Sequence, residues 1–123
     1  SLMQAVGEVF WVENESMMDS VTAVSGSGPA YLFHFVEALT AAAIDIGFAP
    51  EMAETFARNT IIGSAALLES SAENATQLRR NVTSKGGTTQ AALDVLMADA
   101  GLQSILLEAV KAAKKRSEEL SKI

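Results

Sequence analysis

The sequence predicts an all-α fold, on three observations. Alanine, leucine, methionine and glutamate dominate, and only two prolines occur in 123 residues, a composition that favours helix. The chain is 49% hydrophobic and 20% charged, which marks a globular protein rather than a disordered one. Glycines and prolines fall between long apolar-periodic runs, where helices start and stop.

The elements follow in order. Ala5 to Glu13, "AVGEVFWVE", is the exception: Val6, Val9, Phe10, Trp11 and Val12 favour strand, and the run ends in polar "ENES". A single strand needs partners, so they are expected on another chain or in a preceding domain. Residues 1–13 are therefore read as a linker or last strand, and 14–123 as a helical domain. A first helix, "DSVTAVS" from Asp19, ends at Gly26-Ser27-Gly28-Pro29. Pro29 suits a helix start, and that helix runs to Ile46 and stops at Gly47. Pro50 opens the next, to about Ser70. A short helix covers about Asn74 to Val82 and another about Thr88 to Ala98. Gly101 breaks the chain. The last helix covers about Leu102 to Leu120, with Leu106, Val110, Ala113, Ser117 and Leu120 on one stripe.

Two helices are too apolar for a small monomer. In "PAYLFHFVEALTAAAIDIG" the polar residues His34, Glu37, Thr40 and Asp45 fall along one narrow stripe. In "NTIIGSAALLE" apolar or small residues face almost every direction. Such helices must be surrounded, and a domain of this size has little else to surround them with. A homodimer with a shared core is the simplest solution, with Gly63, Ser64, Ala65 and Ala66 permitting close helix approach. The alternative is a compact monomer with both helices central. Met17, Met18, Met52 and Met97 are expected to fill core.

Composition also excludes function classes. The net charge is -6 with no basic cluster beside aromatics, which argues against nucleic acid. The lysines at 111, 114, 115 and 122 alternate with Glu108, Glu118 and Glu119, the pattern of a solvated helix face rather than a membrane patch. Absence of cysteine removes disulfides and thiolate metal sites and favours the cytoplasm. A lone His34 cannot build a histidine metal cluster, so no metal is expected. No apolar run has membrane-spanning length, because His34, Glu37 and Asp45 interrupt the longest.

Two glycine segments are candidate sites. In "NVTSKGGTTQAAL", Asn81 to Leu93, Gly86 and Gly87 stand directly before a helix start. The first amides of a helix have no intrahelical acceptor and carry partial positive charge, so they hold anions well. Glycines let a ligand approach the backbone, and Thr88 and Thr89 add hydroxyls. The set suits a small carboxylate or phosphate. An ordinary helix cap by Ser84 or Thr88 is the competing reading. In "VSGSGPAYLF", Val24 to Phe33, a G-x-G precedes Pro29. Tyr31 occupies the place of the third glycine of a dinucleotide fingerprint, so a nucleotide-phosphate site is rejected and a glycine kink between helices is expected. No catalytic set is evident. Ser25 and Ser27 lack a base other than His34, which is read as a packed or hydrogen-bonded histidine. Asp45, Glu69 and Glu73 are read as surface or cap residues.

The two motifs together, "TAVSGSGPAYLFHFVEAL" and "VTSKGGTTQAAL", in this order and spacing, resemble the C-terminal half of pyrroline-5-carboxylate reductase. The resemblance runs from about Glu8 to the last helix. It implies NADPH- or NADH-dependent reduction of 1-pyrroline-5-carboxylate to L-proline, with the dinucleotide held mainly by a Rossmann domain that this sequence lacks. The fragment alone is then expected to be inactive. The resemblance implies an interlocked homodimer, with further assembly of dimers left open, and it makes "AVGEVFWVE" similar to the last strand of the nucleotide-binding domain. By the same resemblance the substrate carboxylate sits at Ser84, Gly86, Gly87, Thr88 and Thr89. It puts the Thr89 hydroxyl near the ring nitrogen and makes Thr89 the candidate for catalysis. Ser27, Gly28, Pro29 and Ala30 match the segment near the nicotinamide. The family usually has proline where this chain has Lys85. A related cyclic imino acid reductase and a non-catalytic helical dimerisation module are the alternative readings.

Overall fold

The computed structural model describes residues 16–122. All regular structure among them is helical, as the composition predicts. The expected strand at Ala5–Glu13 lies outside the described residues. Six α-helices follow in order: α1 Ser16–Val21, α2 Gly28–Asp45, α3 Pro50–Ser70, α4 Ala75–Asn81, α5 Thr88–Leu96 and α6 Leu102–Ser121. A π-helical turn, Thr22–Gly26, lies between α1 and α2. It replaces the expected glycine kink, and α2 begins at Gly28, one residue before Pro29.

The described residues divide into two compact units, 16–32 with 97–122, and Phe33–Leu96. In the first, α6 packs on α1 and on the π-turn. Ala23, within that turn, is completely buried. The Ser117 hydroxyl donates to Oδ1 of Asp19 at 2.6 Å, which ties α6 to α1. Arg116 and Glu119 pair at 3.5 Å on the exposed face of α6, in line with the solvated face read from the sequence.

In the second unit, α2 ends where Gly47 turns left-handed (φ 121°). The Phe48 amide donates to Ala43 and the Gly47 amide to Ile44, so the paired bonds of a Schellman ending close the last carbonyls. Only glycine takes that φ without strain. Pro50 then opens α3, where its missing N–H costs nothing. Phe48 packs edge-on against Phe56, with ring centroids 5.2 Å apart, and pins this corner to α3. Asn74 caps α4 by accepting from the Gln77 amide at 2.9 Å. Asn81, at the end of α4, accepts from Gln77 and donates to Glu73 at 2.7 Å, which closes the turn before the glycine loop.

Burial is the main departure from expectation. Among the described residues, the buried hydrophobics are Ala23, Ala53 and Ala57. No residue of α2 is buried, and α3 buries only Ala53 and Ala57. Phe33 is 69% exposed, and Ile62, Met17, Met18, Met52 and Met97 are also exposed. The methionines therefore do not fill core within one chain. The two most apolar helices are not enclosed as a compact monomer requires, because each unit has too few elements to wrap them. His34 is exposed as well, and its Nδ1 meets Oε1 of Glu37 at 3.2 Å on the narrow polar stripe of α2.

Candidate functional site

The segment Ser84–Thr89 forms one tight turn that delivers the chain into α5. The Thr83 hydroxyl donates to the Arg79 carbonyl at 2.6 Å and anchors the incoming side. The Gly87 amide then donates to the Ser84 carbonyl at 3.0 Å and closes the turn. Gly86 lies at φ 74°, in the left-handed region where a side chain is strained. Gly87 meets a different constraint. A Cβ there would stand 2.5 Å from the Ser84 hydroxyl and 3.2 Å from the Ser84 carbonyl. The two adjacent glycines thus answer two separate constraints, one conformational and one steric.

The Gly87 carbonyl accepts from the Ala91 amide at 3.2 Å, the first bond of α5. The amides of Thr88, Thr89 and Gln90 have no acceptor among the described residues. Neither Ser84 nor Thr88 caps the helix, so the ordinary capping reading of this turn does not hold here. Uncapped starts also occur at α3 and α6, so an open helix end alone says little. What distinguishes α5 is that open amides, two glycines and the hydroxyls of Ser84, Thr88 and Thr89 come together in seven consecutive residues. Thr88 and Thr89 are exposed, and so is Lys85. Three converging amides at a helix start can receive a carboxylate, and hydroxyls beside them can donate to or accept from a second polar atom.

Ser27–Ala30 lies in the other unit, at the start of α2. The Ser27 amide donates to Thr22 at 2.8 Å and the Ala30 amide to Ser27 at 3.0 Å. Pro29 has no N–H. This helix start therefore has little to give a diphosphate, in keeping with the rejected fingerprint. Its surface is open instead: nothing lies within 4 Å of a Cβ position on Gly28, and Pro29 and Ala30 are exposed. A flat ring can rest on such a surface. Tyr31, noted in the sequence only as an obstacle to a third glycine, reaches back to the π-turn. Its hydroxyl donates to the Ala23 carbonyl at 2.6 Å. No spacing rule points to that bond.

Among the described residues, no group of three or more His, Cys, Asp or Glu could hold a metal ion. No helix among them is long and apolar enough to cross a membrane.

Comparison with known proteins places this architecture. The sequence pattern of the family described as "Pyrroline-5-carboxylate reductase dimerisation" matches residues 15–120. The pyrroline-5-carboxylate reductase of Pseudomonas aeruginosa is 42% identical over 120 residues, covering 98% of this chain and 44% of that protein. The enzyme of the same name from Vibrio alginolyticus is 45% identical over 123 residues, covering 99% of this chain and 45% of that protein. The chain thus spans less than half the length of these relatives. A solved pyrroline-5-carboxylate reductase from Coxiella burnetii superposes with a TM-score of 0.88 at 41% identity, covering 95% of this chain and 43% of that one. The Plasmodium falciparum pyrroline carboxylate reductase, solved with NADP bound, gives 0.82 at 32% identity, covering 91% of this chain and 42% of that one. With the sequence pattern matched across nearly all of the described residues and the helices superposing on solved members, this chain belongs to the pyrroline-5-carboxylate reductase dimerisation family.

Proposed function

We propose that this chain is the dimerisation and substrate-binding part of a pyrroline-5-carboxylate reductase, which reduces 1-pyrroline-5-carboxylate to L-proline in proline biosynthesis. The observation that carries the reading is the turn Ser84–Thr89, whose open amides and hydroxyls suit a carboxylate on a cyclic imine, in a chain of this family. The amides of Thr88, Thr89 and Gln90 hold the substrate carboxylate, and Gly86 and Gly87 let it come close. The Thr89 hydroxyl lies beside the ring nitrogen, where it orients the ring or passes a proton to nitrogen. Catalysis by this chain is then mainly positioning, with the carboxylate fixed so that one face of the C=N carbon is presented.

NADPH or NADH supplies the hydride when bound, from a Rossmann domain outside residues 14–123. The residues Ser27, Gly28, Pro29 and Ala30 fit the nicotinamide end of that cofactor and not its phosphates, because their surface is open while two of their amides are spent and Pro29 has none. The function needs no metal.

The homodimer belongs to the same proposal. α2 and α3 leave large apolar side chains exposed, and the small residues Gly63, Ser64, Ala65 and Ala66 on α3 are uncovered. A second copy covers both and supplies the core that each chain lacks, and dimers can pair further. The cysteine-free composition fits the cytoplasm.

The test is NADPH oxidation by the complete gene product on addition of 1-pyrroline-5-carboxylate, with the six-membered 1-piperideine-6-carboxylate for comparison. Fast oxidation with the five-membered ring is expected. A folded, cofactor-binding protein that ignores it would mean another imino acid or none.

A further inference from the structure

We propose that Tyr31 is a positioning residue for the reduction: by holding the π-turn in its wide register, it fixes where Ser27–Ala30 stands. The inference rests on the reading of Ser27–Ala30 as the segment beside the nicotinamide. It begins with an account of one carbonyl. In an α-helix the Ala23 carbonyl accepts from the amide four residues on, that of Ser27. Here the Ser27 amide donates instead to Thr22, five residues back, at 2.8 Å. The Ala23 carbonyl has lost its helical partner, and Ala23 is completely buried. Buried carbonyls are rarely left unpaired. The Tyr31 hydroxyl takes the place of the missing donor, at 2.6 Å.

The two features depend on each other. Remove the hydroxyl, and the α register becomes the way to satisfy Ala23, with the Ser27 amide returning to it. One residue of register turns a helix by about 100°. The chain leaving the turn at Ser27 is then redirected, and with it Gly28, Pro29 and Ala30. π-turns are costly inside helices and tend to persist where function needs the altered direction. α6 packs on the turn, but it has a second tie that does not involve it: the Ser117 hydroxyl donates to Asp19 on α1.

The experiment uses the complete reductase and the variant Tyr31→Phe, which keeps the ring and loses only the hydroxyl. Ser117→Ala is the control for a purely structural loss in the same unit. For Tyr31→Phe, kcat is expected to fall about tenfold with the KM for 1-pyrroline-5-carboxylate within about twofold, since the carboxylate turn is untouched; tenfold is about 1.4 kcal/mol of barrier. The isotope effect on kcat with NADPH deuterated at the transferred position should rise, as misplacement slows that step. For Ser117→Ala the melting temperature should fall with no change in the isotope effect. A Tyr31→Phe enzyme with parental kcat and isotope effect overturns the proposal, and so does one whose losses Ser117→Ala reproduces. A folded parent that oxidises no NADPH with this substrate overturns the functional reading first, and this inference with it.

Discussion

Ser84 occupies the space that a side chain at position 87 would need: its hydroxyl oxygen is 2.5 Å from a Cβ built on Gly87. The turn before α5 is thus packed against its own backbone. Gly87→Ala is expected to raise the KM for the imino acid about tenfold, roughly 1.4 kcal/mol of binding, with little change in melting temperature. Adding Ser84→Gly should recover part of that loss, because the closest contact disappears, while the Ser84 carbonyl at 3.2 Å remains. The two substitutions are in contact and should be non-additive. Strictly additive KM values would show that the clash is not the cause.

Lys85 is exposed, has no positive φ, and its amide makes no bond to another described residue. Proline at this position removes no donor in use. Lys85→Pro is expected to stabilise the fold by about 0.4–1 kcal/mol through the unfolded chain, as a denaturant midpoint would show. A loss of stability would mean that the backbone at 85 cannot take the φ that proline imposes.

Thr89 is exposed, and its hydroxyl has no partner within the described residues. Thr89→Ala should therefore leave the melting temperature alone and lower kcat about a hundredfold, the lower end of the range for assisted proton transfer. Parental steady-state kinetics would remove Thr89 from the site. Asn74→Ala gives the opposite signature. It loses the cap of α4 and should cost about 1 kcal/mol of stability with an unchanged KM.

Ile62 is 58% exposed on α3, beside Gly63. In a dimer that closes over α3, Ile62→Asp buries an unpaired carboxylate at the contact. Light scattering at micromolar concentration should give a dimer for the parent chain and a monomer for the variant. A monomeric parent would end the shared-core argument outright.

The punctuation of this fold was legible in the sequence because it is local. Pro50 and Gly47 mark their helix ends through φ alone, and the composition gives the helical class. The turn at 84–89 was legible for the same reason, since two adjacent glycines before a helical run mark a tight turn. The π-turn was not. An extra residue in a helical register leaves no trace in apolar periodicity over so short a segment, and the Tyr31 bond spans it from outside. The four methionines were misplaced because an apolar pattern tells which residues avoid water and not which molecule covers them. The resemblance located the segment Ser27–Ala30, while its open surface and spent amides came only from the coordinates.

The buried side chains of the described residues are three alanines, and that has a kinetic consequence. Three methyl groups contribute little hydrophobic stabilisation, at about 0.8 kcal/mol for each buried carbon, so a lone chain has little to hold it once made. Collapse and association then coincide, and the rate of regaining native structure after dilution from denaturant should scale with the chance that two chains meet. Doubling the protein concentration should halve the refolding half-time. In a cell, the first molecules synthesised would wait the longest for a partner, and their exposed phenylalanines and isoleucines would be open to chaperones in the meantime.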